Sequence, residues 1–138
     1  MSKNVEALFA AAKEAFANAY APYSHFPVGA ALMTPEGEIY SGCNVENAAY
    51  PQGACAEAGA ISAMARAGRR RIAEVVVVGG GAGLCTPCGG CRQRLREFAA
   101  QDTPIHIAGP EGVRASFNLA QLLPESFGPE NLEPLTGE

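Results

Sequence analysis

Three cysteines and one glutamate carry the chemistry this chain can be read for. They are Cys55-Ala56-Glu57 and, 33 residues after Cys55, Pro87-Cys88-Gly89-Gly90-Cys91. Three thiolates suit a zinc ion that keeps its fourth position open, and an open position on zinc goes with catalysis rather than architecture. Glu57, two residues past the first cysteine, is placed to handle protons beside the metal without ligating it. Both cysteine groups fall at predicted helix starts, where the helix dipole puts about half a positive charge and favours thiolate over thiol. Cys88 and Cys91, three apart, share a helix face.

This pair of motifs resembles the zinc site of nucleobase deaminases, in which His or Cys supplies the first ligand. The metal lowers the pKa of water in its open position toward neutrality. Glu57 can take that proton while the water oxygen attacks an electron-poor ring carbon. It can then return protons to a ring nitrogen and to the departing amine, releasing ammonia. A carboxylate serves both directions when a dry pocket raises its pKa. Two blander readings compete. A structural zinc site needs a fourth ligand, and only Cys85, three before Cys88 and separated from it by Pro87, is near enough in sequence to serve. The cysteines could instead be small buried residues. Cys43 reads as strand core, and His25 and His106 as non-ligands, one in a proline-bracketed loop and the other in an apolar strand.

Composition narrows the partners. The net charge of −4 leaves Arg66 and Arg69-Arg70-Arg71 as the nearest thing to a basic stripe, and that run solvates a helix end. A protein gripping a nucleic-acid polymer needs more than this, so a small, largely neutral substrate is expected instead. The start of the chain lacks the basic-then-apolar pattern of a secretion signal, and the aliphatic stretch from Val75 to Val78 is too short to cross a bilayer. An odd number of cysteines, two of them in a C-x-x-C pair, suits thiols held by metal better than disulfides. A soluble cytoplasmic protein with no membrane partner is expected, and residues 1–138 are of a size for one domain.

The elements that must position these residues follow from periodicity. Val5, Leu8, Phe9, Ala12 and Phe16 recur at helical spacing, predicting a helix from Ser2 to Tyr20. Pro22 and Pro27 bracket a loop. Val28 to Thr34 and Glu38 to Cys43 read as a hairpin turned by Pro35-Glu36-Gly37. After irregular Asn44 to Gly53, an alanine-rich helix runs from Cys55 to about Ala67, capped by Gly68. Ile72 to Val78 is β-branched without alternation, as in a strand covered on both faces. Gly89 to Ala100 reads as a helix, Pro104 to Ala108 and Val113 to Phe117 as strands, and Leu119 to Leu123 as a last short helix. Helices alternating with apolar strands imply an α/β protein, a three-layer α/β/α sandwich around a mixed central sheet.

Over nearly its whole length the chain resembles the homotetrameric, three-cysteine cytidine deaminase family. Beyond the two cysteine motifs, with Arg92-Gln93 following the second, the likeness rests on Ala21-Pro22-Tyr23-Ser24-His25-Phe26-Pro27-Val28-Gly29-Ala30-Ala31-Leu32. It rests also on Gly42-Cys43-Asn44-Val45-Glu46-Asn47-Ala48-Ala49-Tyr50. The resemblance implies one zinc per subunit on Cys55, Cys88 and Cys91, and Glu57 as the catalytic proton carrier. It implies a substrate of cytidine or 2′-deoxycytidine in pyrimidine salvage. By the same likeness Asn44 and Glu46 hydrogen-bond the ribose and Phe26 packs on the pyrimidine. An amide plus a carboxylate can meet a diol, and a ring face suits a base. Phe127 matches a position from which the family sends an aromatic into a neighbour's site, and Tyr50 looks similar to a residue at that boundary, giving a homotetramer with composite active sites. One departure stands out. Many three-cysteine members carry arginine after the glutamate, where it offsets thiolate charge, and this chain has Ala58; Arg92, beside Cys91, is expected to tune the charge instead. Deaminases of the antibiotic blasticidin S look similar around the glutamate and form the second reading. A non-catalytic zinc-binding module is a third, and a polynucleotide-editing enzyme a fourth that charge disfavours.

Overall fold

The computed structural model describes residues 2–132. Helix α1 (Lys3–Ala17) begins where the Ser2 hydroxyl accepts a hydrogen bond from the Val5 amide, and it buries Val5, Leu8 and Ala12. There follow β1 (Val28–Met33), β2 (Ile39–Cys43), α2 (Ala56–Arg66), β3 (Glu74–Gly79), α3 (Gly89–Phe98), β4 (Pro104–Gly109), β5 (Gly112–Asn118) and α4 (Leu119–Leu122). Single 3-10 turns lie at Tyr50–Gln52 and Pro129–Asn131. The strands form one sheet in the order β2-β1-β3-β4-β5, with β3 and β4 parallel and every other neighbouring pair antiparallel.

The unalternating run in β3 explains the layers. Val75 and Val77 join a core with Ala56, Ala60 and Met64 of α2 and Leu95 of α3. Val76 and Val78 point the other way, into a cluster with Val5, Leu8 and Ala12 of α1. Successive strand residues face opposite sides of a sheet, so a strand sandwiched between helices has no polar face to keep. The result is the expected α/β/α sandwich.

Most boundaries shift by a residue or two from the periodic reading, and three of the shifts are set by isolated bridges. Helix α1 stops at Ala17, since Tyr20 pairs with Val45. Helix α3 stops at Phe98, where extended Ala99 pairs with Ile72, and that pairing leaves Ile72 outside β3. The placement of α2 depends on Gly42 in β2. A Cβ there would stand 2.5 Å from the Ala60 nitrogen and 2.7 Å from the Ala56 oxygen, so only glycine lets the first turns of α2 lie against the sheet. Among the described residues no helix is long and apolar enough to cross a membrane.

Candidate metal centre

Cys55 and Cys88 are the N-cap residues of α2 and α3, both in extended backbone conformation, and Cys91 lies one turn into α3. The sheet holds these two helix starts side by side. All three sulfurs lie within 4.8 Å of one another, with 4.0 Å between those of Cys55 and Cys88. Sulfurs bound tetrahedrally to one zinc ion at about 2.3 Å stand about 3.8 Å apart, so the three side chains fit that ion with little movement. Burial runs from Cys91, fully enclosed, through Cys55 to exposed Cys88.

The other candidate ligands go elsewhere. Cys85 packs against the core and is not part of the cluster. Cys43 is half-buried and stands 3.8 Å from the Asn18 carbonyl. His106 bonds Glu74 through Nε2 and Ser116 through Nδ1, at 2.6 and 2.7 Å. His25 sits in the loop after α1 with a φ of 58°.

Charge favours a cation here. Burial pushes the Cys91 thiol up, and the neighbouring Glu57 and Cys55 push it further. Burial also raises Cys55, with repulsion from Cys88 adding to it. Cys88 is lowered, chiefly because the Cys91 backbone N–H donates to it. Three clustered sulfurs resist ionising together, and a divalent cation among them removes that resistance. Glu57 lies beside them, 4% exposed on the first turn of α2, and burial raises its pKa. A hydrogen bond with Cys91 and the charge of Arg94 pull more weakly the other way. The carboxyl is thus poised to hold a proton or to release one.

Arg92 does not touch a thiolate. Its Nε donates to the Pro87 carbonyl at 2.7 Å, Nη1 to the Leu122 carbonyl at 2.7 Å, and Nη2 to the Thr86 hydroxyl at 3.1 Å. The reason is rotational. One residue along a helix turns about 100°, which carries Arg92 off the cysteine face to the side where Gln93 and Arg96 also hold the C-terminal segment. The guanidinium that reaches the cluster is Arg94, whose Nη1 lies 3.5 Å from the Cys91 sulfur. Arg94 follows Cys91 by three residues, the spacing that already aligned Cys88 with Cys91, and that spacing was the available signal for it.

The residues expected at the sugar and base lie on loops. The Asn44 side chain accepts at Oδ1 from the Val28 amide at 2.9 Å and donates from Nδ2 to the Phe26 carbonyl at 3.0 Å. The Glu46 carboxylate accepts from the amides of Tyr23 and Ser24, at 2.9 and 3.1 Å, and from the Ser24 hydroxyl. Those contacts, the Ser24 hydroxyl foremost, hold its carboxyl below the usual carboxylate range. The Phe26 ring lies over Gly81. A cavity of about 330 Å³ opens beside Glu46, lined by Tyr23, Ser24, Asn47, Tyr50 and Gly53, and neither the cysteines nor Glu57 line it. Tyr50 packs its ring 5.8 Å from that of Tyr23 yet is 74% exposed, and Phe127 is 59% exposed.

Comparison with known proteins agrees with this geometry. The family model described as the cytidine and deoxycytidylate deaminase zinc-binding region matches residues 2–107. A cytidine deaminase of Sporosarcina psychrophila is 42% identical over 129 residues, covering 94% of this chain and 95% of that one. The crystal structure of cytidine deaminase from Burkholderia pseudomallei superposes with a TM-score of 0.83 at 42% identity, covering 92% of this chain and 100% of that one. The corresponding structure from Mycobacterium leprae gives 0.76 at 43% identity, covering 90% and 100%.

Proposed function

The chain belongs to the cytidine and deoxycytidylate deaminase family and is a cytidine deaminase enzyme; we propose that it hydrolyses both cytidine and 2′-deoxycytidine, to uridine or 2′-deoxyuridine and ammonia. The observation that carries this reading is the buried Glu57 carboxyl beside three clustered sulfurs. Zinc on Cys55, Cys88 and Cys91, one per subunit, supplies a Lewis acid that makes water a nucleophile near neutral pH. Glu57 would take one proton from the attacking water as its oxygen adds to C4 of the base and pass it to the ring nitrogen, then take the second from the resulting C4 hydroxyl and deliver it to the amine, so that the C4–N bond breaks, C4=O forms and ammonia leaves. Cysteine and glutamate come from the ends of packed helices, so neither needs to move far to act.

Asn44 and Glu46 orient the sugar in this reading. Each uses part of its hydrogen-bonding capacity on the loop over residues 23–28. An amide has two donors and two lone pairs, and a carboxylate about four acceptor sites, so both retain capacity for a diol. Phe26 offers a ring face to the pyrimidine. Exposed Tyr50 and Phe127 are the side chains free to reach a neighbour in the homotetramer of this reading, in which subunits complete one another's sites. Residues 1–138 act as one domain in each subunit, in a cytoplasmic salvage enzyme with no nucleic-acid polymer or membrane among its partners.

The test is a panel of cytidine, 2′-deoxycytidine and blasticidin S assayed for ammonia, with zinc content and solution mass measured on the same preparation. Ammonia from cytidine and from deoxycytidine is expected, at one zinc per chain and a mass of about four chains. Release from blasticidin S alone would transfer the reading to the antibiotic deaminases, which look similar around Glu57. Zinc without any turnover would leave a binding module.

A further inference from the structure

Three thiolates around one dication leave an excess of negative charge, and electron-rich sulfurs weaken the Lewis acidity that the reaction needs. Among the described residues, one guanidinium reaches a sulfur of the cluster. Arg94 Nη1 stands 3.5 Å from Cys91 Sγ. The space it occupies is made by Gly90. A Cβ at that position would lie 3.3 Å from Arg94 Nη1 and 4.0 Å from Cys88 Sγ, so a side chain there would crowd the guanidinium at the mouth between the two cysteines. The Cys91 sulfur is buried while Arg94 reaches it from the solvent side, so the charge-assisted hydrogen bond ends on an acceptor that water does not reach. The residue after Glu57 is Ala58, so that position of α2 adds no charge, and Arg92 is held by carbonyls and a hydroxyl away from the sulfurs.

We propose that Arg94 is a positioning residue for the metal centre: from the second turn of α3 it holds the Cys91 thiolate and draws off part of its charge, so that the bound metal stays acidic. This rests on the metal reading given above, and it adds a residue whose side chain touches a ligand and neither the substrate nor the reacting atoms. Nothing forms or breaks covalently at Arg94.

The direct test replaces zinc by cobalt(II) in the parent, Arg94→Gln and Arg94→Lys, and records the sulfur-to-cobalt charge-transfer band without any nucleoside. A sulfur that loses a hydrogen bond gives up its electrons more easily, so the band in Arg94→Gln is expected at longer wavelength than in the parent, with Arg94→Lys between them. With zinc, kcat on cytidine should fall on the order of tenfold in Arg94→Gln, the low end of what losing an outer partner of a metal ligand costs. KM should stay within about twofold, because the effect lies on the chemical step. Arg94 is exposed, so the variants are expected to fold; matching circular dichroism and melting temperature establish that. Superimposable cobalt spectra in all three proteins would overturn the proposal and leave Arg94 as a solvated helix residue. A parent that takes up no cobalt would overturn both this and the metal reading. A shifted band in a protein that never releases ammonia from cytidine would uphold Arg94 and fault the substrate reading alone.

Discussion

The sulfur cluster stands on the first turns of two helices, whereas Phe26, Asn44 and Glu46 stand on loops that flank β1 and follow β2. On the first side position is fixed by packing: Ala56, Glu57 and Cys91 are buried, and Gly42 seats α2 directly on the sheet. On the second side it is fixed by side chains hydrogen-bonding to main chain, as Asn44 and Glu46 do to residues 23–28. Packed elements hold a reactive geometry with little tolerance, while hydrogen-bonded loops hold a recognition surface that can adjust. The two sides should therefore fail differently. Damage to the helix starts removes chemistry outright, and damage to the loops weakens binding by degrees.

The sharpest break comes from the cysteines. Cys91→Ala and Cys88→Ala, at the buried and exposed corners of the cluster, should each lose most of their metal and turnover together, as measured by elemental analysis and ammonia release. Full zinc in either variant would remove that residue from the centre. Next is Glu57→Gln, which should keep its zinc while turnover falls by ~10²–10⁴, the usual contribution of general acid–base catalysis. The same substitution has a consequence for stability. Burial raises the Glu57 pKa, so in the metal-free protein its ionised form opposes folding at pH above the folded-state pKa, and the opposition is absent below the unfolded-state value. Metal-free Glu57→Gln should melt higher than the metal-free parent in mildly alkaline buffer, with the gap closing on acidification; an unchanged gap across that range would mean the carboxyl is not dry.

The loop side should respond more gently. Glu46→Ala unpins the Tyr23 and Ser24 amides and, in the proposed binding of the sugar, leaves a ribose hydroxyl without a partner. That costs about 1–3 kcal/mol, or about 5- to 150-fold in kcat/KM for cytidine, with zinc content unchanged. Loss of zinc instead would show that the two sides are not separable. The smallest effect on chemistry is expected of Arg92→Gln. It removes contacts to Pro87, Leu122 and Thr86, and so should lower stability by about 1–3 kcal/mol in a denaturant titration. Its cobalt spectrum should match the parent's, whereas a shift as large as that of Arg94→Gln would return the charge-tuning role to Arg92.

What sequence reveals here divides along the same line. Local periodicity carries the valines of β3, the apolar stripe of α1 and the cysteines at two helix starts, because each depends on neighbours within a turn or a strand. Arg94 was legible in principle from its three-residue spacing to Cys91. The partners of Asn44 lie 16 and 18 residues away, and the Leu122 carbonyl lies 30 residues from Arg92. No local pattern encodes such contacts, since the sheet order and the path of the C-terminal segment decide them. Adjacency in sequence to Cys91 suggested Arg92 for the thiolate, and helical rotation gives the place to Arg94.

Gly42, β3 and the two capping cysteines together also set an order of assembly. Cys55 and Cys88 are 33 residues apart, and the chain between them must lay down α2 and insert β3 between β1 and β4 before the sulfurs meet. Assembling a sheet from strands far apart in sequence is slow compared with forming a helix, and the rate is governed by topology. The metal is therefore expected to capture a nearly finished fold rather than to nucleate it. Refolding of the denatured chain should proceed at the same early rate with and without zinc, and only the final, slow phase and the yield should depend on the ion. Acceleration of the earliest phase by zinc would mean instead that the thiolates gather the chain before the sheet exists.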